Sequence, residues 1–298
     1  MKILVTGING QVGWELNRQA AKGARQIIGL DRVALDITDH QAVGHAVACH
    51  RPDLLINCAA YTAVDRAEEE EELAQAVNGD GPARLAEACR PRHIPLIHLS
   101  TDYVFDGTGV RPYLESDAVA PLGVYGRSKE RGERRLREVL PEHVILRTSW
   151  VYGVHGHNFV KTMLRLARQH RQLKVVADQW GCPTAAADLA GVLLTLADRI
   201  AAGTCHWGTY HCCGATVTTW HGFAEQLFAL CQGRIPLKVE QVLAIASADY
   251  PTPAKRPAYS VLDCGKLAGR LQITMPPLVE SLAAVVDELA VQQEDGGL

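Results

Sequence analysis

The chain has 298 residues, 47% of them hydrophobic and 21% charged, enough for one large α/β domain or two smaller ones. A net charge of −3 without any basic run excludes nucleic acid and membrane surfaces as expected partners. No stretch reaches the ~18 apolar residues of a membrane helix, and the opening "MKILVTG" lacks a signal peptide's apolar core and cleavage site, so a cytoplasmic protein is expected.

In chain order, "KILVT" (2–6) is a short apolar, β-branched run that predicts a strand. A glycine turn and a helix to about residue 22 follow. "QIIGLD" (26–31) predicts the second strand, and Asp39 caps a helix over "HQAVGHAVACH". "LLINCAA" (54–60) is the third strand. The run "RAEEEEELAQAV" after it reads as one charged helix with a solvated acidic face. "PLIHLST" (95–101) and "HVILRTS" (143–149) are further strands, with a helix carrying "YGRSK" between them. Short, nearly continuous apolar strands alternating with helices describe a parallel sheet buried on both faces. This is a Rossmann-like, doubly wound α/β architecture.

Past residue 150 the pattern loosens. "LKVVAD" (173–178) and "GTYHCCG" (208–214) read as strands, "DLAGVLLTLADRI" (188–200) as a helix, and "TTWHGFAEQLFALC" as a helix opened by a threonine cap. "YPTPAKRP" (250–257) is a proline-rich loop, a last helix spans about 277–291, and the tail 293–298 is expected to be unstructured. The division expected is a dinucleotide-binding domain over 1–150, with a return segment near 185–213, and a smaller substrate-binding lobe over 151–298. A ligand cleft lies between the two. The nine cysteines, odd in number and irregularly spaced, predict reduced thiols. "CHWGTYHCC" (205–213) offers metal-ligand types without a second arm elsewhere, so no metal is assigned to it.

The chemistry concentrates at the strand ends. "TGINGQVG" places Gly7, Gly10 and Gly13 directly after a strand and at a helix start. Gly7 permits the tight turn, Gly10 lets backbone approach a pyrophosphate, and Gly13 lets the helix lie close to the strand. Asp31, at the end of the second strand, can accept from both ribose hydroxyls and favours NAD, while the adjacent Arg32 can neutralise a 2′-phosphate. NADH and NADPH both remain candidates. Asp36 and Ile37 sit where a loop can flank the adenine. Ala59, Ala60 and Thr62 leave room for a flat cofactor. Tyr125 and Lys129, four apart on a helix, share a face, so an ammonium is expected beside a phenol, lowering its pKa. Thr101, at the carboxyl end of a parallel strand, supplies a hydroxyl. Together the three make a carbonyl-reducing site: Tyr125 protonates the oxygen, Thr101 orients it, and Lys129 binds the nicotinamide ribose.

These motifs resemble the extended short-chain dehydrogenase/reductase superfamily. "GQVGWEL", "AAYTAVDRAE", "STDYVFDG", "VYGRSK", "RTSWVYG", "DQWGCPT" and "YPTPAKRP" are more narrowly similar to the dTDP-4-dehydrorhamnose reductase family, from residue 1 to about 263. The resemblance implies NAD(P)H-dependent reduction of the C4 ketone of dTDP-6-deoxy-L-lyxo-4-hexulose to dTDP-L-rhamnose. It also implies that Gly10, Gln11 and Val12 touch the pyrophosphate, and that Thr101, Asp102 and Trp150 meet the sugar nucleotide. Trp150 can equally be a core aromatic, and Lys255 and Arg256 are either diphosphate partners or solvated charges. The resemblance also implies a homodimer, which in some family members is bridged by a magnesium ion between acidic side chains. Glu15 is kept here, but the later acid stands at Asp188 in "AAADLA", which argues against a matching metal site. A related 4,6-dehydratase has a second acid after the threonine, where Tyr103 stands here. An epimerase is not excluded by sequence. A non-catalytic regulator, like the regulatory subunit of methionine adenosyltransferase, is the rival from another class.

Overall fold

The structure is a computed structural model that describes residues 1–21 and 25–294. Its centre is a six-stranded parallel sheet. β1 (Lys2–Thr6) leads through a glycine turn into α1 (Gln11–Ala20), and β2 (Gln26–Leu30) pairs alongside β1. The expected end of the first helix, near residue 22, lies outside the described residues. α2 (His40–His50) opens on Asp39, whose carboxylate accepts from the backbone N–H groups of Gln41 and Ala42. β3 (Leu54–Asn57) is three residues shorter than expected: the Cys58 N–H still donates to the Thr6 carbonyl at 3.1 Å, and Ala59 and Ala60 turn away to form the floor of a cleft.

The acidic stretch departs most from expectation. A single charged helix is replaced by two short turns, α3 (Val64–Ala67) and α4 (Glu71–Ala74), then a π-helical segment Gln75–Asp80 running into α5 (Gly81–Cys89). Three of its glutamates have partners and are not merely solvated, Glu71 facing Arg127 at 3.9 Å. Glu68 Oε1 accepts from the Val124 backbone N–H at 2.8 Å, capping the helix that carries Tyr125. Glu70 accepts from the Tyr61 hydroxyl at 2.6 Å and pairs with Arg66.

β4 (Leu96–Thr101), α6 (Val124–Val139) and β5 (His143–Thr148) complete the first half. After the two-residue β6 (Val151–Tyr152) come α7 (Phe159–Ala167), β7 (Gln172–Val176) and the short β8 (Trp180–Gly181) and β9 (Thr184–Ala185). α8 (Ala186–Ala201) and β10 (Gly208–His211) follow. β10 returns to pair with β5, giving the order β10-β5-β4-β3-β1-β2. β11 (Thr218–Thr219), α9 (Trp220–Cys231), β12 (Gln241–Ile245), α10 (Gly265–Leu271) and α11 (Leu278–Glu294) end the described chain. Thr219 caps α9 as its sequence implies, accepting from the Gly222 N–H. β12, which pairs with β7, has no clear signal in "QVLAI". The tail expected from 293 begins inside α11, and residues 295–298 lie outside the described residues. No described helix is long and apolar enough to cross a membrane.

Alternation along the strands builds two cores. Ile3, Val5, Leu54 and Ile56 face α1 and α8, while Leu4 and Leu55 face α2, α5 and α6. Each fully buried aliphatic contributes roughly 1.5–3 kcal/mol, so both sheet faces are committed and the strands cannot slip. The register therefore aligns the carboxyl ends: Thr6 opposite Leu30 and Asn57, and Thr101 opposite Thr148. Strand order reverses between β1 and β3, the switch point where open α/β sheets hold ligands.

Candidate active site

The turn after β1 is shaped by contact. Gly7 has φ +70°, and a Cβ there would stand 2.6 Å from the Ala59 backbone nitrogen, so the loops after β1 and β3 touch as only glycine allows. A Cβ on Gly13 would lie 2.5 Å from the Gly7 carbonyl oxygen. The glycine thus brings α1 against the preceding turn, rather than against the strand as its position suggests. Gly10 stands at the N-cap with no side-chain cap, so the first N–H groups of α1 remain free for an anion. This cradle, closed to any larger residue and rich in free donors, fits the diphosphate of a dinucleotide. Gly13→Ala is expected to displace this turn, weakening NADPH binding by ~10-fold or more and lowering the melting temperature, as read by fluorescence titration and thermal unfolding followed by circular dichroism.

From this turn a cleft of about 590 Å³ runs along the carboxyl edge of the sheet. Gly7, Gly10, Gln11, Val12 and Gly13 line one end, and Asp31, Asp36 and Ile37 the adenine side. Ala59, Ala60 and Thr62 form the floor, with Tyr125 and Lys129 at the far end. All the positions that the sequence assigns to the cofactor thus border one cavity. Sequence reasoning missed Asn9, Ser100, Thr148 and Val151, and also Gly156 and His157, which reach the cleft from a loop with no local motif.

Asp31 is already engaged. Its Oδ1 accepts from the N–H groups of Val33 and Ala34, and its Oδ2 accepts from the Asn9 amide at 2.9 Å. The carboxylate therefore shapes its own loop, and Arg32 lines the cleft beside it. Asp36 accepts from the Thr38 backbone N–H and hydroxyl, which hold its carboxyl below the ordinary range.

At the catalytic end, α6 is fastened to the sheet by a buried cluster. Glu133 on α6, fully buried, accepts from Arg147 Nη2 on β5 at 2.7 Å and from Ser100 Oγ on β4 at 2.6 Å. The Arg147 and Arg137 guanidinium groups and the Ser100 hydroxyl hold this carboxyl below the ordinary range against its burial. That clamp fixes the height at which Tyr125 and Lys129 stand over the strand ends. Gly126 beside them lets the helix approach the Tyr103 carbonyl.

The acidified phenol expected from the Tyr125–Lys129 spacing is not found. Burial pushes Tyr125 up to about 12, opposed by interaction with the Thr101 hydroxyl and reinforced by the Asp102 charge. Lys129, itself depressed to about 8 by burial, directs its nitrogen to the Leu99 carbonyl at 2.6 Å instead of the phenol. Sharing a helix face does not force contact when a backbone acceptor lies closer. Thr101 is buried, accepts from the Tyr103 N–H and donates to Asp102 Oδ1 at 2.9 Å. Asp102 is buried with Oδ2 unpartnered, and desolvation raises it to about 6. Tyr103 packs edge-on against Tyr125, ring centroids 5.6 Å apart.

The remaining assignments separate. Trp150 adopts φ +48° and stacks on Trp220 with centroids 3.5 Å apart. A Cβ on Gly181 would meet its ring, and Trp150 is not among the residues lining the cleft. Trp150 is half-buried, one face on the Trp220 stack at the edge of a core cluster, so it belongs to neither the dinucleotide cleft nor the fully buried core. Arg256 pairs with Asp65 at 2.9 Å, half-buried, and Lys255 is exposed. Glu15 is engaged by Arg18, which also holds Glu288 at 2.9 Å. Among the described residues, no three His, Cys, Asp or Glu side chains are grouped as a metal site requires.

A family model described as the RmlD substrate binding domain matches residues 1–291. A dTDP-4-dehydrorhamnose reductase from Sinorhizobium fredii is 43% identical over 99% of this chain and 100% of its own length. The chain belongs to the dTDP-4-dehydrorhamnose reductase family. Crystal structures agree with that membership. The enzyme from Clostridium acetobutylicum superposes with a TM-score of 0.91 at 40% identity, covering 97% of this chain and 99% of its own. That from Bacillus anthracis, in complex with NADP, gives 0.89 at 37% identity over 96% and 99%. Like them, this family member is an NAD(P)H-dependent oxidoreductase on a Rossmann-like sheet.

Proposed function

We propose that this reductase converts the C4 ketone of dTDP-4-dehydro-6-deoxy-L-mannose to the alcohol of dTDP-L-rhamnose, in the cytoplasm, with Tyr125 as proton donor. Bound in the cleft, NADPH or NADH supplies hydride to the carbonyl carbon. The observation that carries the reading is the position of the Tyr125 phenol, at the end of the dinucleotide-sized cleft and beside the buried Thr101 hydroxyl. A phenol raised to about 12 is fully protonated at neutral pH, which is the form reduction requires. The alkoxide that develops on the substrate is roughly as basic as hydroxide, so proton transfer from the phenol runs downhill. Thr101 turns its one hydroxyl hydrogen from Asp102 to the same oxygen and orients it, and the Lys129 nitrogen positions the ring that carries the hydride.

Arg256, paired with Asp65 at 2.9 Å in this structure, is the cation that would meet the substrate's nucleotide diphosphate. Tyr103, standing where a dehydratase has its second acid, cannot serve as a carboxylate base, which favours reduction over elimination.

Absorbance at 340 nm tests the reading: consumption of NADPH or NADH is expected with the dTDP-4-keto sugar, and more slowly with its UDP counterpart. No consumption with either cofactor, alongside tight binding to another protein, would favour a regulatory subunit. Cofactor choice has its own test. Arg32 lines the adenine side of the cleft, while Asp31 is occupied by its loop. Arg32→Ala is expected to raise KM for NADPH ~10-fold or more and to leave KM for NADH nearly unchanged, since a charge-assisted bond to a phosphate is worth about 1.5–3 kcal/mol.

A further inference from the structure

Behind Lys129 the strands carry a row of buried polar side chains for which the reaction has no use so far. Thr6, Asn57 and His98 are register neighbours on β1, β3 and β4, each at most 1% exposed. Their hydrogen bonds have a fixed direction. The Ala59 backbone N–H can only donate, and it donates to Asn57 Oδ1 at 3.1 Å, an oxygen that also accepts from Thr6 Oγ1 at 2.7 Å. The Asn57 amide nitrogen therefore faces His98 Nδ1, 3.0 Å away, and donates to it. Burial and the nearby lysine hold His98 well below the ordinary histidine value, so the ring is neutral. A neutral imidazole carries one N–H, and with Nδ1 accepting, that hydrogen sits on Nε2. Nε2 stands 3.4 Å from Lys129 Nζ.

The lysine nitrogen thus has a donor on one side and, in the Leu99 carbonyl at 2.6 Å, an acceptor on the other. A neutral amine satisfies both. One N–H goes to Leu99, the lone pair takes the His98 N–H, and one N–H remains for the cleft. An ammonium has no lone pair and leaves a buried N–H dipole pointing at a positive charge. We infer that His98 is a positioning residue for Lys129: fixed by Asn57 as the Nε2–H tautomer, it aims a donor at the lysine nitrogen, so Lys129 holds its third proton loosely until acceptor oxygens of a bound ligand draw the nitrogen away.

The inference rests on reading Tyr125 and Lys129 as the cofactor-facing pair, with hydroxyls of the dinucleotide as those oxygens. Other groups around Lys129 do not reverse it. Cys58, from the end of β3, is pushed up to about 12 by burial and stays a thiol. Glu133, one turn along α6, favours the ammonium, but its oxygens are taken by Arg147, Ser100 and Arg137. Tyr125, one turn back on α6, is protonated at neutral pH, and His143 acts on His98. Burial prevails, and Lys129 falls to about 8.

Nitrogen-15 NMR of histidine-labelled protein reads the tautomer directly, with the His98 signal assigned by its loss in His98→Gln. The expected result is a neutral Nε2–H ring with unprotonated Nδ1 from about pH 6 to about pH 9. An Nδ1–H ring, or titration of His98 in that range, overturns the inference and leaves the reductase reading untouched. Calorimetry of NADPH binding in buffers of different ionisation enthalpy supplies the second readout. A group half-titrated near pH 8 is about three-quarters deprotonated at about pH 8.5, so binding is expected to take up roughly 0.7 proton per site. That uptake disappears in Lys129→Met. In Asn57→Asp, whose carboxylate accepts from Nδ1–H and frees Nε2 to accept from an ammonium, it falls below roughly 0.2. NADPH binding without proton uptake in the wild type, or uptake that persists in Lys129→Met, contradicts the inference alone. Failure of NADPH to bind at all contradicts the reductase reading, and the tautomer still decides this one.

Discussion

Tyr125→Phe is expected to lower kcat by ~10²–10⁴-fold while leaving the Kd for NADPH unchanged. The change deletes one oxygen and keeps the ring that packs against Tyr103 and reaches the small α3–α4 core, so the architecture around it stays in place. The hydroxyl acts only once negative charge develops on the substrate oxygen, so kcat and kcat/KM should fall together. Because the phenol is held near 12, the wild-type rate of reduction should not rise with pH across the neutral range on account of Tyr125. Stopped-flow absorbance for turnover and fluorescence titration for cofactor binding separate the two effects. A loss of NADPH binding comparable to the loss of turnover would assign Tyr125 a structural role.

Glu133→Gln is expected to destabilise the fold by about 3–5 kcal/mol, the usual consequence of leaving a buried partner charge uncompensated. Arg147 is 3% exposed and loses the carboxylate charge it pairs with, and the amide NH2 that replaces Oε2 points a donor at its guanidinium, while the remaining amide oxygen still accepts from Ser100. The pH dependence has a definite sign. Because the folded-state pKa of Glu133 is lowered, its contribution is fully present above the ordinary carboxylate value and is lost as pH falls through the depressed one. Urea unfolding as a function of pH should therefore show the variant less stable at neutral pH and converging on the wild type in acid. Activity should suffer as well, since the same carboxylate fastens α6, and with it Tyr125 and Lys129, to β4 and β5. Equal stability at neutral pH would mean that the clamp contributes nothing net.

The sheet was legible in the sequence because its strands are short apolar runs buried on both faces, and the burial of Leu4, Leu55 and Leu96 follows from that pattern alone. The cleft was legible because glycines at 7 and 13 let backbones approach closer than any Cβ allows, and Gly10 opens the helix with no side chain over its N–H groups. What stayed hidden depends on contacts between distant segments. "EEEEE" looks like a helix surface, and only the folded chain shows that Glu68 caps α6 across 56 residues. β12 forms because β7 offers it an edge, and Trp150 is held in a stack by Trp220 and Gly181, neither of which is near it in sequence. The spacing of Tyr125 and Lys129 placed both on one helix face but could not reveal that Leu99 and His98, on either side of the amine, hold it away from the phenol.

The most direct test of the account is NMR analysis of the product formed when the wild-type chain is incubated with NADPH and dTDP-4-dehydro-6-deoxy-L-mannose. The expected result is dTDP-L-rhamnose, one molecule for each NADPH oxidised. An unchanged keto sugar in the presence of protein shown to bind NADPH would contradict it.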